Sequence, residues 1–195
     1  MLAKLDAVTD LPSPPRRTAD PRATVAAAYA LGVPHDYAHA RSLRLVREPA
    51  RLAFVGHDIQ QRPQWLTPHA ARAWTRMRDA AARDGVELQI VSAFRSIEYQ
   101  LGIIRRKLER GLAMDEILRV SAAPGYSEHH SGRALDLTMP GFAPIEEEFE
   151  HAPAFVWLNK NAPEYNFALS YPRDNPHGIA YEPWHWCWHA PRRQR

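Results

Sequence analysis

The sequence has one cysteine, Cys187, and no long apolar run. A single cysteine excludes a disulfide within the chain and leaves the redox compartment open. A membrane-spanning helix needs about 20 consecutive, mainly apolar residues. No stretch of the chain approaches that length, so we expect no transmembrane segment.

The chain also has little net charge and few glycines. Lys and Arg number 25 against 22 Asp and Glu, which gives a formal net charge of +3 at pH 7. Basic residues are not interleaved with aromatics along a stripe, so we expect no nucleic-acid partner. Hydrophobic residues at 45% of 195 suit one globular domain with its own core. Seventeen prolines against nine glycines indicate stiff connections between short elements.

A stretch near the N terminus has some features of a secretion signal. Arginines precede the apolar run VAAAYALGV at 25–33. However, Asp10 and Asp20 lie in what would be the positively charged region, and that region is too long for a signal. Asp20 as a cap, Pro21 in the first position and Gly32 at the end predict a helix instead.

Mixed helical and strand patterns with short links predict an α+β fold, with a small antiparallel sheet flanked by helices. The predicted helices lie at 20–32, 67–85, 96–111, 115–119 and 153–162, and the strands at 86–92, 133–138, 166–171 and 179–188, with a possible strand or hairpin at 51–59. We expect residues 1–50 to form an N-terminal arm and helix packed on a domain of residues 51–190. Residues 191–195 are predicted to be a flexible tail.

The segment SEHHSGRALD, residues 127–136, carries two adjacent histidines directly before a predicted strand. A catalytic zinc site takes three ligands from His, Asp, Glu or Cys and leaves one position for water. This segment offers His129, His130 and Asp136. Strand alternation turns the leucines on either side of Asp136 into the core, which leaves its carboxylate on the opposite face.

The segment EPWHWCWH, residues 182–189, offers a third ligand in His185. Strand alternation places its three tryptophans on one face and His185 and Cys187 on the other. Cys187 is either a fourth ligand or, as we favour, a small buried hydrophobic residue. Glu182 is placed to stand beside a metal as a general base. Spacing alone leaves a histidine-rich polar turn as an equal alternative to a metal site.

Together, S-x-H-x-x-G-x-A-x-D at 127–136 and E-P-W-H at 182–185 resemble the zinc D-alanyl-D-alanine carboxypeptidases of the VanY type. That family belongs to a wider group with the lysostaphin-type peptidases and the hedgehog signalling domain. The resemblance covers roughly residues 60–188. It includes FRS followed by a glutamine, with Arg95 five residues before Gln100.

The resemblance implies a role for each matching position. The implied residues are His129, Asp136 and His185 as ligands of one zinc ion, Glu182 and Arg95 as catalytic residues, and Ser127 and Gln100 as peptide-binding residues. Glu182 would take a proton from water and return it to the leaving amine, and Arg95 would stabilise negative charge. Ser127 has an alternative role as a loop cap, and Gln100 has one in the buried face of a helix.

The implied function is removal of the C-terminal D-alanine from peptidoglycan stem peptides. The alternatives are an endopeptidase or lysin that cuts crosslinks, an L,D-carboxypeptidase, and a zinc-stabilised binding module without catalysis. Glu182 is evidence against the last, because a structural zinc site needs no base. The family implies the cell envelope or periplasm. No clear export signal is visible, so the cytoplasm stays open, as does the oligomeric state.

Overall fold

Four short antiparallel strands form the central sheet of the protein, which the computed structural model describes for residues 11–191. In spatial order they are β3 (Gln89–Ser92), β4 (Ala134–Thr138), β6 (His185–Trp188) and β5 (Phe167–Leu169). A separate hairpin pairs β1 (Ala53–His57) with β2 (Pro63–Leu66). The predicted α+β class with a small antiparallel sheet is confirmed. The predicted arm at 1–10 and tail at 192–195 lie outside the described residues.

Six α-helices accompany the strands within residues 11–191. They are α1 (Pro21–Ala30), α2 (Tyr37–Ala40), α3 (Pro68–Arg83), α4 (Ile97–Glu109), α5 (Met114–Val120) and α6 (Pro153–Asn161). Short 3-10 turns occur at Glu128–Ser131, Glu147–His151 and Ala162–Tyr165. In this part of the chain, none of the helices combines the length and the apolar character that a bilayer span requires.

The predicted helices at 20–32, 67–85 and 96–111 each start at a residue that can cap a helix, and two of the three make the capping bond. The Asp20 carboxylate accepts a hydrogen bond from the N–H of Ala23 at 2.9 Å and begins α1. Ser96 begins α4 in the same way, since its Oγ accepts from the N–H of Tyr99 at 3.0 Å. These bonds satisfy N–H groups that have no partner inside the helix. Thr67 stands at the cap position of α3, but its side chain makes no capping hydrogen bond.

Three strands are at least three residues shorter than predicted, and one was not predicted. Of the predicted strand at 86–92, only Gln89–Ser92 is paired, of 166–171 only Phe167–Leu169, and of 179–188 only His185–Trp188. Pro183 has no N–H to donate to a ladder, so the residues before β6 run as a connection. Strand β2 has the sequence PQWL, which lacks the alternation that would mark it as a strand.

The main core lies between one face of the central sheet and α3. Leu135 and Leu137 of β4 are completely buried there with Trp74 of α3 and Trp186 of β6. Burial of each such side chain is worth about 1.5–3 kcal/mol. The alternation predicted for β4 is confirmed, because Asp136 projects from the opposite face, where it meets other polar side chains.

A buried carboxylate, Glu48, joins the N-terminal part of the chain to the start of α4. Its oxygens accept hydrogen bonds from the N–H of Thr18 at 2.8 Å, from Thr18 Oγ1 at 2.6 Å and from the N–H of Ile97 at 2.6 Å. Thr18 Oγ1 in turn accepts from the N–H of Glu98 at 3.0 Å. A negative charge is favourable here, because the first N–H groups of a helix are unpaired and its dipole is positive at this end.

Replacing Glu48 should therefore destabilise the fold. Glu48→Ala leaves the buried N–H groups of Thr18 and Ile97 without their acceptor, and we expect the free energy of unfolding to fall by about 2–4 kcal/mol. Urea unfolding followed by tryptophan fluorescence measures the loss. Glu146→Ala is the control, since Glu146 is exposed and makes no capping bond, and it should change stability by less than about 0.5 kcal/mol. Equal effects of the two substitutions would contradict the prediction.

Candidate metal centre

Three of the predicted site residues meet on the polar face of the central sheet. His129 comes from the 3-10 turn Glu128–Ser131, Asp136 from β4 and His185 from β6. Asp136 and His185 are direct partners across the two strands, which brings their side chains close together. One potential ligand atom from each of the three residues lies within 4.8 Å of the others. All three are buried, with exposures of 1%, 3% and 2%.

The ring of His129 presents an unprotonated nitrogen to this cluster. Its Nδ1 lies within hydrogen-bond distance of the carbonyl oxygen of Ala93, which can only accept, so Nδ1 carries the proton. Burial and the charge of Arg95 lower the pKa of His129 to about 4, which keeps the ring neutral. Its Nε2 is 3.1 Å from Asp136 Oδ2 yet lacks a hydrogen-bond partner in the described part of the chain. Two buried lone pairs that face each other fit a cation between them.

His185 lies between two carboxylates. Its Nδ1 is 2.9 Å from Asp136 Oδ1, and its Nε2 is 2.9 Å from Glu128 Oε2. Burial acts to lower the pKa of His185, but the two carboxylates outweigh it and raise the pKa to about 10. Burial likewise opposes ionisation of Glu128, and the hydrogen bond with His185 outweighs it, so that the pKa of Glu128 is about 2. The two distances show that His185 turns Nδ1 toward Asp136 and Nε2 toward Glu128.

The two predicted catalytic residues lie at the same cluster. Glu182 Oε2 is 3.8 Å from Nδ1 of His185, and the residue is buried. Burial raises the pKa of Glu182 to about 7, and the negative charge of Asp136 acts in the same direction. Arg95 Nη1 is 4.0 Å from Asp136 Oδ2, and its buried Nε has no hydrogen-bond partner within residues 11–191. A base and a positive donor thus flank the three potential ligands.

Ser127 and Gln100 both make the structural contacts that the sequence left as alternatives. Ser127 Oγ accepts from the N–H of His129 at 3.4 Å and so caps the turn that carries this histidine. Gln100 Nε2 donates to the carbonyl oxygen of Ala122 at 2.8 Å. The Oε1 atom of Gln100 is buried and has no partner among the residues that the structure describes, so it can accept a hydrogen bond. Peptide binding by these two residues stays a prediction.

His130 and Cys187 are not part of the ligand cluster found in residues 11–191. His130 donates from Nδ1 to the carbonyl oxygen of Arg95 at 2.7 Å, and its Nε2 accepts from the N–H of Gly125 at 3.2 Å. It therefore ties the backbone of Arg95 to the loop that carries His129. Cys187 is 3% exposed, and burial raises the pKa of its thiol, which agrees with a small buried residue.

The region that contains this ligand cluster matches a known protein family. A family model described as VanY, D-alanyl-D-alanine carboxypeptidase, matches residues 63–191, which is more than half of the chain. The chain belongs to the VanY family. The match includes both strands of the cluster, the 3-10 turn before β4 and the connection that carries Glu182.

The chain is also similar to curated relatives and to solved structures. A D-alanyl-D-alanine carboxypeptidase of Enterococcus faecium is 31% identical over 134 residues, 67% of this chain and 39% of the relative. The structure of the LdcB LD-carboxypeptidase is 31% identical, with a TM-score of 0.65 over 72% of this chain and 69% of that one. A variant of the D,D-pentapeptidase VanY in complex with Zn(II) is 26% identical, with a TM-score of 0.56 over 75% and 87%. The chain spans less than half the length of the curated relatives it matches.

Gly132 permits the tight approach of the VanY-family histidine loop to the residues before it. Its φ of 64° lies in the left-handed region. A Cβ at this position would lie 3.1 Å from Leu52, 3.2 Å from Pro49 and 3.3 Å from Thr67. The carbonyl oxygen of Gly132 also accepts from the N–H of Thr67 at 2.7 Å, so the loop cannot move away without losing this bond.

A side chain at Gly132 should therefore destabilise the fold more than the left-handed backbone conformation alone would. Gly132→Ala combines a left-handed conformation with crowding, and we expect it to lower the free energy of unfolding by about 1–3 kcal/mol more than Gly111→Ala. Gly111 is the matched control, because its φ is 84° and a Cβ there meets nothing within 4 Å. Thermal and urea unfolding of both variants measure the difference. Equal losses would show that the loop tolerates the side chain.

Proposed function

We propose that this chain is a zinc-dependent carboxypeptidase that removes the C-terminal D-alanine from peptidoglycan stem peptides. The supporting observation is the convergence of His129, Asp136 and His185 within 4.8 Å, with Glu182 3.8 Å from His185. Relatives support the substrate class, since the Enterococcus faecium relative is a D-alanyl-D-alanine carboxypeptidase. The proposed peptidase domain is residues 51–190, preceded by the proposed N-terminal unit of residues 1–50, and the proposed place of action is the cell envelope.

One zinc ion fits the available donors. Two imidazoles and one carboxylate are the ligand types of catalytic zinc sites, which leave a fourth position open. Within residues 11–191 this ligand group contains three residues and no fourth. A VanY-family neighbour has been solved with Zn(II). Bound zinc would lower the pKa of water to about 7 and polarise the scissile carbonyl.

Glu182 performs the proton transfers in this proposal. Its carboxylate accepts a proton from the water that attacks the carbonyl carbon of the scissile peptide bond. As the C–N bond breaks, the same group donates the proton to the nitrogen of the leaving D-alanine. Its position 3.8 Å from His185 Nδ1 and its burial keep it beside the reacting groups and shielded from bulk water.

Arg95 stabilises the negative charge that develops on the carbonyl oxygen. Its Nη1 lies 4.0 Å from Asp136 Oδ2, and its buried Nε has no partner among residues 11–191, so donors remain available to the substrate. A donor of this kind in a site that largely excludes water is worth about 3 kcal/mol. Ser127 and the unpaired Oε1 of Gln100 would hold the peptide beside the reacting bond.

An L,D-carboxypeptidase that acts on the tetrapeptide is the second candidate. The LdcB LD-carboxypeptidase aligns with a TM-score of 0.65 and 31% identity, against 0.56 and 26% for the D,D-pentapeptidase. Both candidates use the same metal, base and donor, and they differ in the chirality of the residue before the scissile bond.

Two stem peptides decide between these candidates. We expect the zinc-loaded protein to remove one alanine from a pentapeptide that ends in D-Ala-D-Ala, as followed by mass spectrometry. Loss of alanine from the tetrapeptide alone would assign the L,D activity, and release of monomeric stems from crosslinked sacculi alone would assign an endopeptidase. A protein that binds one equivalent of zinc yet cleaves none of the three would contradict a peptidase function. Chelator-treated protein is the control.

Glu182→Gln separates the base from the metal site. The amide keeps the size of the side chain but cannot accept the proton, so we expect kcat to fall by at least about 100-fold. Zinc content and melting temperature should stay close to those of the unchanged protein, because Glu182 is not proposed as a ligand. Glu164→Gln, an exposed glutamate, is the control and should keep full activity. Unchanged turnover in Glu182→Gln would show that another group is the base.

A further inference from the structure

Glu128 and Asp136 contact different nitrogens of the His185 ring in the candidate metal centre. Its Oε2 lies 2.9 Å from Nε2 of His185, whereas Nδ1 of the same ring is 2.9 Å from Asp136. Both nitrogens of His185 therefore face carboxylates. Glu128 directly precedes His129 in the 3-10 turn, so one turn supplies a potential ligand and also holds the ring of another.

The two histidines of the cluster share one arrangement. Each has one nitrogen facing Asp136 and the other hydrogen-bonded to an oxygen outside the ligand set. For His129 that oxygen is the carbonyl of Ala93, and for His185 it is the carboxylate of Glu128. A metal-binding histidine commonly donates its second N–H to a carbonyl or a carboxylate, which fixes the orientation of the ring and makes the metal-facing nitrogen a better ligand.

We propose that Glu128 is a positioning residue that accepts a hydrogen bond from Nε2–H of His185 and directs Nδ1 toward the metal position. This inference rests on the proposed metal site. Tyr171 and His129 pack against the imidazole, with ring centroids 4.8 Å and 4.9 Å from that of His185. They limit the tilt of the ring, while the hydrogen bond that Nε2 of His185 donates to Glu128 determines which nitrogen faces Asp136.

The surroundings of Glu128 make the inference testable, because the residue reaches solvent. Its side chain is 30% exposed and lines a cavity of about 220 Å³ together with Arg133, Cys187 and His189. Removing the carboxylate therefore enlarges a cavity that already exists, and it opens no new void in the apolar core. We expect variants at this position to fold.

The test compares zinc affinity in Glu128→Ala, Glu128→Gln and the unchanged protein, by competition with a chromophoric chelator. We expect Glu128→Ala to weaken zinc binding by about 10- to 100-fold. Glu128→Gln keeps an oxygen that can accept a hydrogen bond from Nε2–H of His185 and should recover most of this loss. The absorption spectrum of the cobalt(II)-substituted protein should shift in Glu128→Ala, because the orientation of His185 changes. Glu164→Gln is the control and should change neither readout.

The outcomes separate this inference from the proposed function. If the unchanged protein binds one equivalent of zinc and Glu128→Ala binds it equally well with the same cobalt spectrum, the positioning role is wrong and the metal site stands. If the unchanged protein binds no zinc, both proposals fail. A purely structural role would lower the melting temperature of the metal-free Glu128→Ala protein and leave the zinc affinity of its folded state unaltered, which would also overturn the inference.

Discussion

The antiparallel pairing of β4 with β6 is the constraint on which the site depends. It places Asp136 opposite His185, while Leu135 and Trp186, paired at the adjacent position, lie in the apolar core. Because side chains alternate along a strand, a slip of one residue would turn the ligands into the core and the apolar side chains out of it. The hydrophobic core therefore sets the register, and the register brings the carboxylate and the imidazole together.

The site also concentrates charge in a buried place. Glu128, Asp136 and Glu182 bring three carboxylates within reach of His185, and Arg95 is the nearby guanidinium. Burial works against ionisation of Asp136, yet His129 and His185 hold its pKa well below the usual range. Buried charges are stable only when they are paired or bound to metal. A divalent cation among these groups would offset the repulsion between the three carboxylates, which Arg95 and the histidines compensate only in part.

The sequence predicted the parts of the fold and site that follow from local pattern. The caps at Asp20 and Ser96 and the buried leucines of β4 were predictable because capping and alternation involve neighbouring residues. Motif resemblance pointed to the residues that converge, although their roles stay predictions. The contact between Glu128 and His185 joins residues 57 positions apart, and no spacing rule indicates it. The anchoring of α4 by Glu48 is equally non-local, across 49 positions.

The hydrogen bonds of Glu48 bear on where a recombinant fragment of this protein should begin. The VanY-family match starts at residue 63. Before that point, Glu48 accepts a hydrogen bond from the N–H of Ile97, two positions beyond Arg95. Leu52 and Pro49, also before residue 63, lie against Gly132. A recombinant fragment that starts at the family boundary would lack the Glu48 acceptor at the beginning of α4. It would also lack the Leu52 and Pro49 side chains that lie against Gly132 of the histidine loop. The residues before position 63 thus supply contacts to α4 and to the histidine loop that the family-matched region alone would lack.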